Sequence, residues 1–192
     1  MNSLVKAQGR ALVDPQVAQA VIEQRQYLTF MLGGEMFSIG ILAIKEIIEY
    51  DGLTEVPMMP ACIRGVINLR GAVVPVMDLS ARFNKPSTEV TKRTCIVIVE
   101  VANEEQDSQV MGVVVDAVNA VLEIPSSEIE PPPAFGAKIR TDFIEGLAKV
   151  NGKFIILLDV NQVLSIEDVG ALAQLAAPDH LTAVAAPAEQ FA

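Results

Sequence analysis

Ile63-Arg-Gly-Val-Ile-Asn-Leu-Arg-Gly-Ala-Val-Val-Pro-Val-Met-Asp-Leu79 occurs in a second version further along the chain. Shifted by 81 positions, it aligns without a gap on Ile144-Glu-Gly-Leu-Ala-Lys-Val-Asn-Gly-Lys-Phe-Ile-Ile-Leu-Leu-Asp-Val160, and its first isoleucine, both glycines and the aspartate coincide. Self-similarity at a fixed offset indicates a repeated structural unit. The sequence therefore predicts that the chain contains two related halves.

Each copy carries the signal of a tight β-hairpin. Asn151 and Gly152 stand between apolar residues, and both positions of such a two-residue turn favour a positive φ. The alignment puts Arg70 and Gly71 in the same turn of the first copy. Arginine gains nothing from a left-handed conformation, so Arg70 is a candidate functional residue. The alternative is an exposed turn with a solubilising charge. We predict structural turns at Gly71, Asn151 and Gly152.

The repeat extends upstream. Residues 37–50 align on 111–124 at an offset of 74, which leaves seven extra residues in the connection 131–142 of the second copy. A lone all-β unit of about 70 residues buries too little surface to be secure. We therefore expect an all-β fold with short peripheral helices, built as two small antiparallel barrels related by a pseudo-two-fold axis.

The flanking segments have a different character. Asp14-Pro15 predicts a short helix that runs to Arg25, within an N-terminal extension of residues 1–25. A capping pattern from Ser165 predicts a closing helix over 165–176. Residues 177–192 are rich in alanine and proline, and we expect a disordered tail there.

The repeated region itself is predicted to run from 26 to 164, with internal copies at about 26–84 and 94–160. Its most β-rich runs in the second copy are Thr94–Val101 and Val110–Val118, joined by an acidic loop.

Composition excludes several functions. A net charge of −10 without a basic cluster argues against nucleic acid and anionic lipid. The start lacks the pattern of a signal peptide and no long apolar run occurs, so we expect a cytoplasmic protein without membrane insertion. Cys62 and Cys95 form no CxxC pair, and the single histidine, His180, lies in the predicted tail. We predict no catalytic residue, cofactor or metal, and hence no enzyme.

What remains is a binding surface. The first copy has Glu46 where the second has Ala120, and Arg70 where the second has Asn151. A buried core does not need this asymmetry, whereas a recognition site does. The alternatives are two charges that simply pair with each other, or a barrel that binds a small apolar ligand between its halves.

Three segments, Gly65–Gly71, Val74–Leu79 and Gly112–Asp116, resemble the CheW family of bacterial chemotaxis coupling proteins, and the similarity runs from about Gln26 to Leu164. The resemblance implies two intertwined five-stranded barrels around a shared core. It also implies a non-enzymatic adaptor that links the cytoplasmic helical hairpin tip of chemoreceptors to the regulatory domain of the histidine kinase CheA. Such a protein would be recruited to membrane-associated receptor arrays. A scaffold of a parallel chemosensory pathway, for surface motility or biofilm, is the alternative within the family.

The same resemblance implies a receptor-binding groove. Carried over by position, its residues are Ile44, Glu46, Ile47, Gly65, Arg70, Gly112, Val118 and Val121. Helix-in-groove recognition is the expected mode, in which apolar residues supply contact area and Arg70 with Glu46 sets the register.

Overall fold

The computed structural model describes residues 24–102, 108–134 and 139–165. These residues form mostly β-structure with two short α-helices, α1 (Leu79–Arg82) and α2 (Val160–Val163). The strands are β1 (Gln24–Leu32), β2 (Glu35–Gly40), β3 (Ile44–Glu49), β4 (Ile63–Leu69), β5 (Ala72–Asp78), β6 (Cys95–Ala102), β7 (Ser108–Val115), β8 (Ala117–Pro125), β9 (Ile129–Glu130), β10 (Ile144–Val150) and β11 (Lys153–Leu158).

The strands form two sheets that each draw on both halves of the chain. One has six strands in the order β8-β1-β2-β11-β10-β9, and the other has five in the order β3-β6-β7-β5-β4. Four pairings join strands of different halves, namely the parallel pairs β2 with β11 and β5 with β7 and the antiparallel pairs β1 with β8 and β3 with β6. The two halves are therefore interwoven. Over the described ranges, each sheet is open between its outer strands.

The largest hydrophobic cluster, which we call the central core, lies between these elements. Its aromatic rings form a row in which successive centroids are 6.3, 5.8 and 6.1 Å apart, from Phe30 to Phe37 to Phe83 to Phe143. The central core also contains Leu28, Leu32, Met77, Val97, Val99, Val113, Val163 and Leu164. Because its residues come from both sheets and both short helices, it holds the two halves together.

Both predicted hairpin turns are present. Arg70 and Gly71 have φ values of 51° and 88°, and Asn151 and Gly152 have values of 50° and 78°. This pair of positive angles matches the two-residue turn that suits twisted strands. The turn positions aligned by the repeat thus have the same backbone conformation.

Some boundaries differ from the sequence-based expectation. Gln24 and Arg25 already belong to β1, so the predicted helix does not reach Arg25. They pair with β8, and this pairing overrides their local helical preference. The β-rich run 110–118 spans the end of one strand and the start of the next, because β7 ends at Val115 and β8 begins at Ala117.

Other expectations fall on parts of the chain that the structure does not describe. They concern the body of the helix predicted after Asp14, most of the acidic loop after Ala102, the closing helix beyond Ser165 and the tail from 177 to 192. Within the described ranges, the helices are too short to cross a membrane.

Candidate functional site

The turn between β4 and β5 holds Arg70 in the left-handed region. The backbone N–H of Gly71 donates to Oδ1 of Asn68 at 2.8 Å, which stabilises the turn from within. The guanidinium of Arg70 then donates twice to the Glu46 carboxylate, from Nη1 at 2.8 Å and from Nη2 at 2.9 Å. This two-bond geometry fixes both the position and the plane of the guanidinium.

The ion pair joins two edges of the five-stranded sheet. Glu46 lies on β3 and Arg70 follows β4, and these strands stand at opposite ends of the strand order. The Arg70 side chain is 77% exposed and that of Glu46 is 26% exposed. An exposed pair of this kind contributes about 0–1 kcal/mol to stability. The Arg70 guanidinium is therefore accessible to a partner, and its use in binding would change the free energy of unfolding little.

A β-bulge in β3 places Ile44 and Ile47 on one face. The register with β6 shifts between Ile44 and Glu46, so that Ile44 lies opposite Val99 and Ile47 opposite Val97. Directly opposed residues share a face of the sheet, and both valines belong to the central core. Lys45, the bulged residue, forms an ion pair with Glu100 of β6 at 2.8 Å, and its hydrogen bond lowers the pKa of Glu100.

A bulge in β8 does the same for Val118 and Val121. The register with β1 shifts between Thr29 and Phe30, so that Val118 lies opposite Phe30 and Val121 opposite Leu28. Val118 packs against the central core, whereas Val121 remains 48% exposed. Ile47 is 42% exposed in the same way. The four apolar residues predicted for the groove thus lie on the central-core faces of two outer strands.

The two glycines predicted for the groove, Gly65 and Gly112, differ from its partly exposed apolar residues because both glycines are buried. A Cβ on Gly65 would lie 2.4 Å from the backbone oxygen of Thr54, and one on Gly112 would lie 2.8 Å from Cγ2 of Ile96. Gly65 also has a φ of 152°. These positions need glycine for close packing, so neither residue presents a contact surface to a partner.

A second network of charged groups surrounds Asp78, and the sequence analysis did not predict it. This carboxylate is fully buried, and its Oδ2 lies 3.2 Å from Nε of Arg64. Its oxygens also accept from the backbone N–H groups of Ser80 and Thr88, at 3.0 and 2.9 Å, and from the Thr88 hydroxyl. Arg64 in turn donates to the Tyr50 hydroxyl and the Thr88 carbonyl. This network fastens the segment between the halves onto β4 and β5.

A signal for this network was available in the repeat. Arg64 aligns with Glu145, so the charge reverses on the strand that each predicted hairpin pairs with the segment ending in Asp78 or Asp159. A charge reversal across the hairpin from an unchanged aspartate indicates that the aspartate meets different partners in the two halves.

Over residues 24–102, 108–134 and 139–165, no three or more His, Cys, Asp or Glu side chains are grouped so as to hold an ion.

Comparison with known proteins agrees with this architecture. Residues 26–168 match the family model described as a CheW-like domain. The chain is 33% identical to the Chemotaxis protein CheW of Klebsiella aerogenes over 156 residues, which cover 81% of this chain and 90% of the relative. It is 30% identical to Protein FrzA of Myxococcus xanthus, over 82% of this chain and 95% of that protein.

Among solved structures, the scaffolding protein TtCheW from Thermoanaerobacter tengcongensis is similar in fold. The match has a TM-score of 0.67 and 34% sequence identity, and it covers 74% of this chain and 94% of that one.

Proposed function

The chain belongs to the CheW-like domain family and is a chemotaxis coupling adaptor, and we propose that it connects the cytoplasmic tips of chemoreceptors to the histidine kinase CheA. The single observation that carries the proposal is the pairing of Arg70 with Glu46. An arginine in a left-handed turn is strained by about 1–3 kcal/mol relative to glycine or asparagine, and the ion pair returns little of this in stability. Recognition of a partner accounts for the strain.

The groove has the residue types that a helical partner requires. Ile44, Ile47, Val118 and Val121 supply apolar area on two outer strands, and one of these strands, β3, also carries the Glu46 that fixes the Arg70 guanidinium. An amphipathic helix binds such a surface through apolar anchors at helical spacing, and one charged contact sets its register. The helical hairpin at the receptor tip is the partner that fits this description.

The adaptor performs no chemistry in this proposal. It holds receptor and kinase in a fixed geometry, so that a small movement of the receptor shifts the equilibrium between kinase states. The regulatory domain of CheA binds a different face. The protein acts in the cytoplasm and is recruited to receptor arrays.

We further propose that each sheet curls into a barrel, five-stranded apart from the two-residue β9 at the edge of the six-stranded sheet, and that a pseudo-two-fold axis relates the barrels. Equivalent hydrogen bonds support this: Asp78 N–H donates to Cys62 O at 2.7 Å, and Asp159 N–H donates to Phe143 O at 2.9 Å. The apolar cluster of Val76, Ile96, Ile98 and Val114 is covered from both outer strands, by Ile48 of β3 and Ile67 of β4. A curled sheet brings such strands together.

The proposed function is tested with purified components. The full chain is mixed with a receptor cytoplasmic fragment and with the CheA regulatory domain, and binding is measured by titration calorimetry for each pair and for the three proteins together. We expect the adaptor to bind both partners at once. Failure to bind either fragment, with a folded adaptor, would reject the proposal.

A second candidate is the scaffold of a parallel chemosensory pathway, and the similarity to Protein FrzA favours it. The two candidates differ in which receptors and kinase of the host the adaptor binds. Pairwise titration against each receptor tip and each CheA-type kinase of the same organism separates them.

A further inference from the structure

Asp78 and Asp159 occupy equivalent places in the two halves but have different surroundings. Each stands where the second strand of a hairpin ends, and each caps a short helix, Asp78 through Ser80 N–H and Asp159 through the N–H groups of Asn161 and Gln162. Asp78 uses both carboxylate oxygens, since Arg64 and Thr88 bind them as well. At Asp159, only Oδ1 has a hydrogen-bond partner among the described residues.

The different surroundings of the two aspartates arise at a bulge in the first strand of each hairpin, which is β4 in one half and β10 in the other. The register of β4 with β5 shifts around Arg64, and the register of β10 with β11 shifts around Glu145 in the same way. The first half has Arg64 at this bulge, bound to Asp78, whereas the second half has the acidic residue Glu145 at the equivalent position. Glu145 is bound instead by the Tyr27 hydroxyl at 3.3 Å and by Arg25 at 3.6 Å.

An open groove of about 830 Å³ lies at this place. Glu123, Glu145 and Asp159 line it, and among the residues that the structure describes Arg25 is the one basic residue of the lining. The remaining wall is apolar in part and includes Leu42, which is 100% exposed. The groove thus combines an apolar wall around Leu42 with the carboxylate of Asp159, whose Oδ2 has no hydrogen-bond partner among the described residues.

We propose that this groove is the docking site for a segment of a protein partner that carries an arginine next to an apolar residue. Its guanidinium binds Asp159 and Glu145, as the guanidinium of Arg64 binds Asp78, and its apolar side chain packs on Leu42. Charge complementarity selects the partner, because three carboxylates and one guanidinium leave an excess of negative charge for a cation to neutralise. Arginine suits the site better than lysine, since its planar fork reaches two carboxylates at once.

The site is separate from the predicted receptor groove and does not rest on the proposed function. None of the residues predicted for the receptor groove lines it. Loss of binding here therefore leaves the receptor contact intact, and the two proposals fail independently.

The test uses the full ¹⁵N-labelled chain and two peptides, acetyl-Leu-Arg-Leu-amide and its citrulline analogue, which keeps the shape and loses the charge. We expect the amide signals of Leu42, Glu145 and Asn161 to shift saturably with the arginine peptide, and the citrulline peptide to bind at least about 10-fold more weakly. Equal binding of the two peptides, shifts elsewhere on the protein, or no saturable shift at millimolar peptide would overturn the proposal.

Two variants complete the design. Asp159→Asn keeps a good helix cap and removes the charge, so we expect it to weaken the arginine peptide about 10-fold with α2 intact. Asp142→Asn, outside the groove, is the matched control and keeps full binding.

If Arg10→Gln in the free chain moves the same amide signals, the occupant is the chain's own amino-terminal segment. If protein concentration moves them, the occupant is a second copy. Either result overturns a partner docking site.

Discussion

The Arg70 guanidinium and the Glu46 carboxylate are joined by two hydrogen bonds that connect the β4–β5 turn to the outer strand β3. Most of the Arg70 side chain remains exposed to solvent. Screening by water limits what the pair adds to stability, whereas the fixed guanidinium retains donors for a partner. Stability and binding should therefore respond differently to changes at these two residues.

Replacement of Arg70 by alanine should separate the two effects. We expect Arg70→Ala to change the free energy of unfolding by no more than about 1 kcal/mol, because the pair is exposed. Affinity for a receptor cytoplasmic fragment should fall at least about 10-fold, because truncation of a central arginine anchor typically costs about 2 kcal/mol or more. Urea unfolding and titration calorimetry measure the two quantities. Lys153→Ala, in the equivalent hairpin, is the control, and undiminished binding by Arg70→Ala would remove Arg70 from the site.

Exchanging the charges of Glu46 and Arg70 tests whether the receptor recognises the ion pair or the arginine itself. Glu46→Lys alone places two positive charges together, and we expect weaker receptor binding. The double variant Glu46→Arg with Arg70→Glu restores the attraction but moves the guanidinium to β3. We expect it to regain stability and not affinity. Recovery of affinity in the double variant would mean that only the bridge between β3 and the turn matters.

The sequence predicted the parts of this fold that local chemistry controls. Turn chemistry predicted the positive φ of Asn151 and Gly152, and the alignment of the two copies extended this prediction to Arg70 and Gly71. It also singled out Arg70 as a residue without a local reason to be there. These features are visible in sequence because two or three neighbouring residues determine them.

The remaining features depend on contacts between distant segments. The bulge at Lys45 gives Ile44 and Ile47 a common face, although residues three apart in a regular strand point to opposite faces. Gly65 and Gly112 were expected in the groove, but the approach of Thr54 and Ile96 determines their role. The four pairings that join strands of different halves have no local signature. Pairing partners decide all of these features, and no single segment carries that information.

Gly71 should be sensitive to side-chain shape. Its φ of 88° is unfavourable for a β-branched residue, although a Cβ at this position would have no other atom within 4 Å. We expect Gly71→Val to lower the free energy of unfolding by about 1–3 kcal/mol through backbone strain alone. Gly71→Asn is the matched control, because asparagine tolerates the left-handed region, and it should cost less than Gly71→Val. Equal costs for valine and asparagine in urea unfolding would show that the turn adopts another type.

Tyr27 should make stability fall at alkaline pH. Burial, and after it the Glu145 carboxylate, raises the pKa of Tyr27 above its ordinary value of 10.0. Because the folded state holds the proton more tightly, this contribution is complete below the unfolded pKa and is lost as pH rises through the folded pKa. We expect the free energy of unfolding to fall more steeply above about pH 10 in the natural chain than in Tyr27→Phe. Parallel curves for the two proteins would contradict the assignment.

The two capping aspartates offer a comparison within one molecule. Asp78 is fully buried against Arg64, whose side chain is 20% exposed, so its removal leaves a largely desolvated guanidinium without a counter-charge. Breaking a buried pair in this way costs about 3–5 kcal/mol. Asp159 has no arginine at the equivalent place, and its replacement removes mainly a helix cap, which costs about 1 kcal/mol.

We therefore expect Asp78→Ala to lower the free energy of unfolding several-fold more than Asp159→Ala, as measured by urea unfolding at neutral pH. Asp78→Asn provides the control, because asparagine keeps the helix cap and removes only the charge that Arg64 needs. Its cost should lie closer to that of Asp78→Ala than to that of Asp159→Ala. Equal losses in the free energy of unfolding for all three variants would mean that water hydrates the Arg64 guanidinium once Asp78 is replaced. The ion pair would then not be what fastens the segment between the halves to β4.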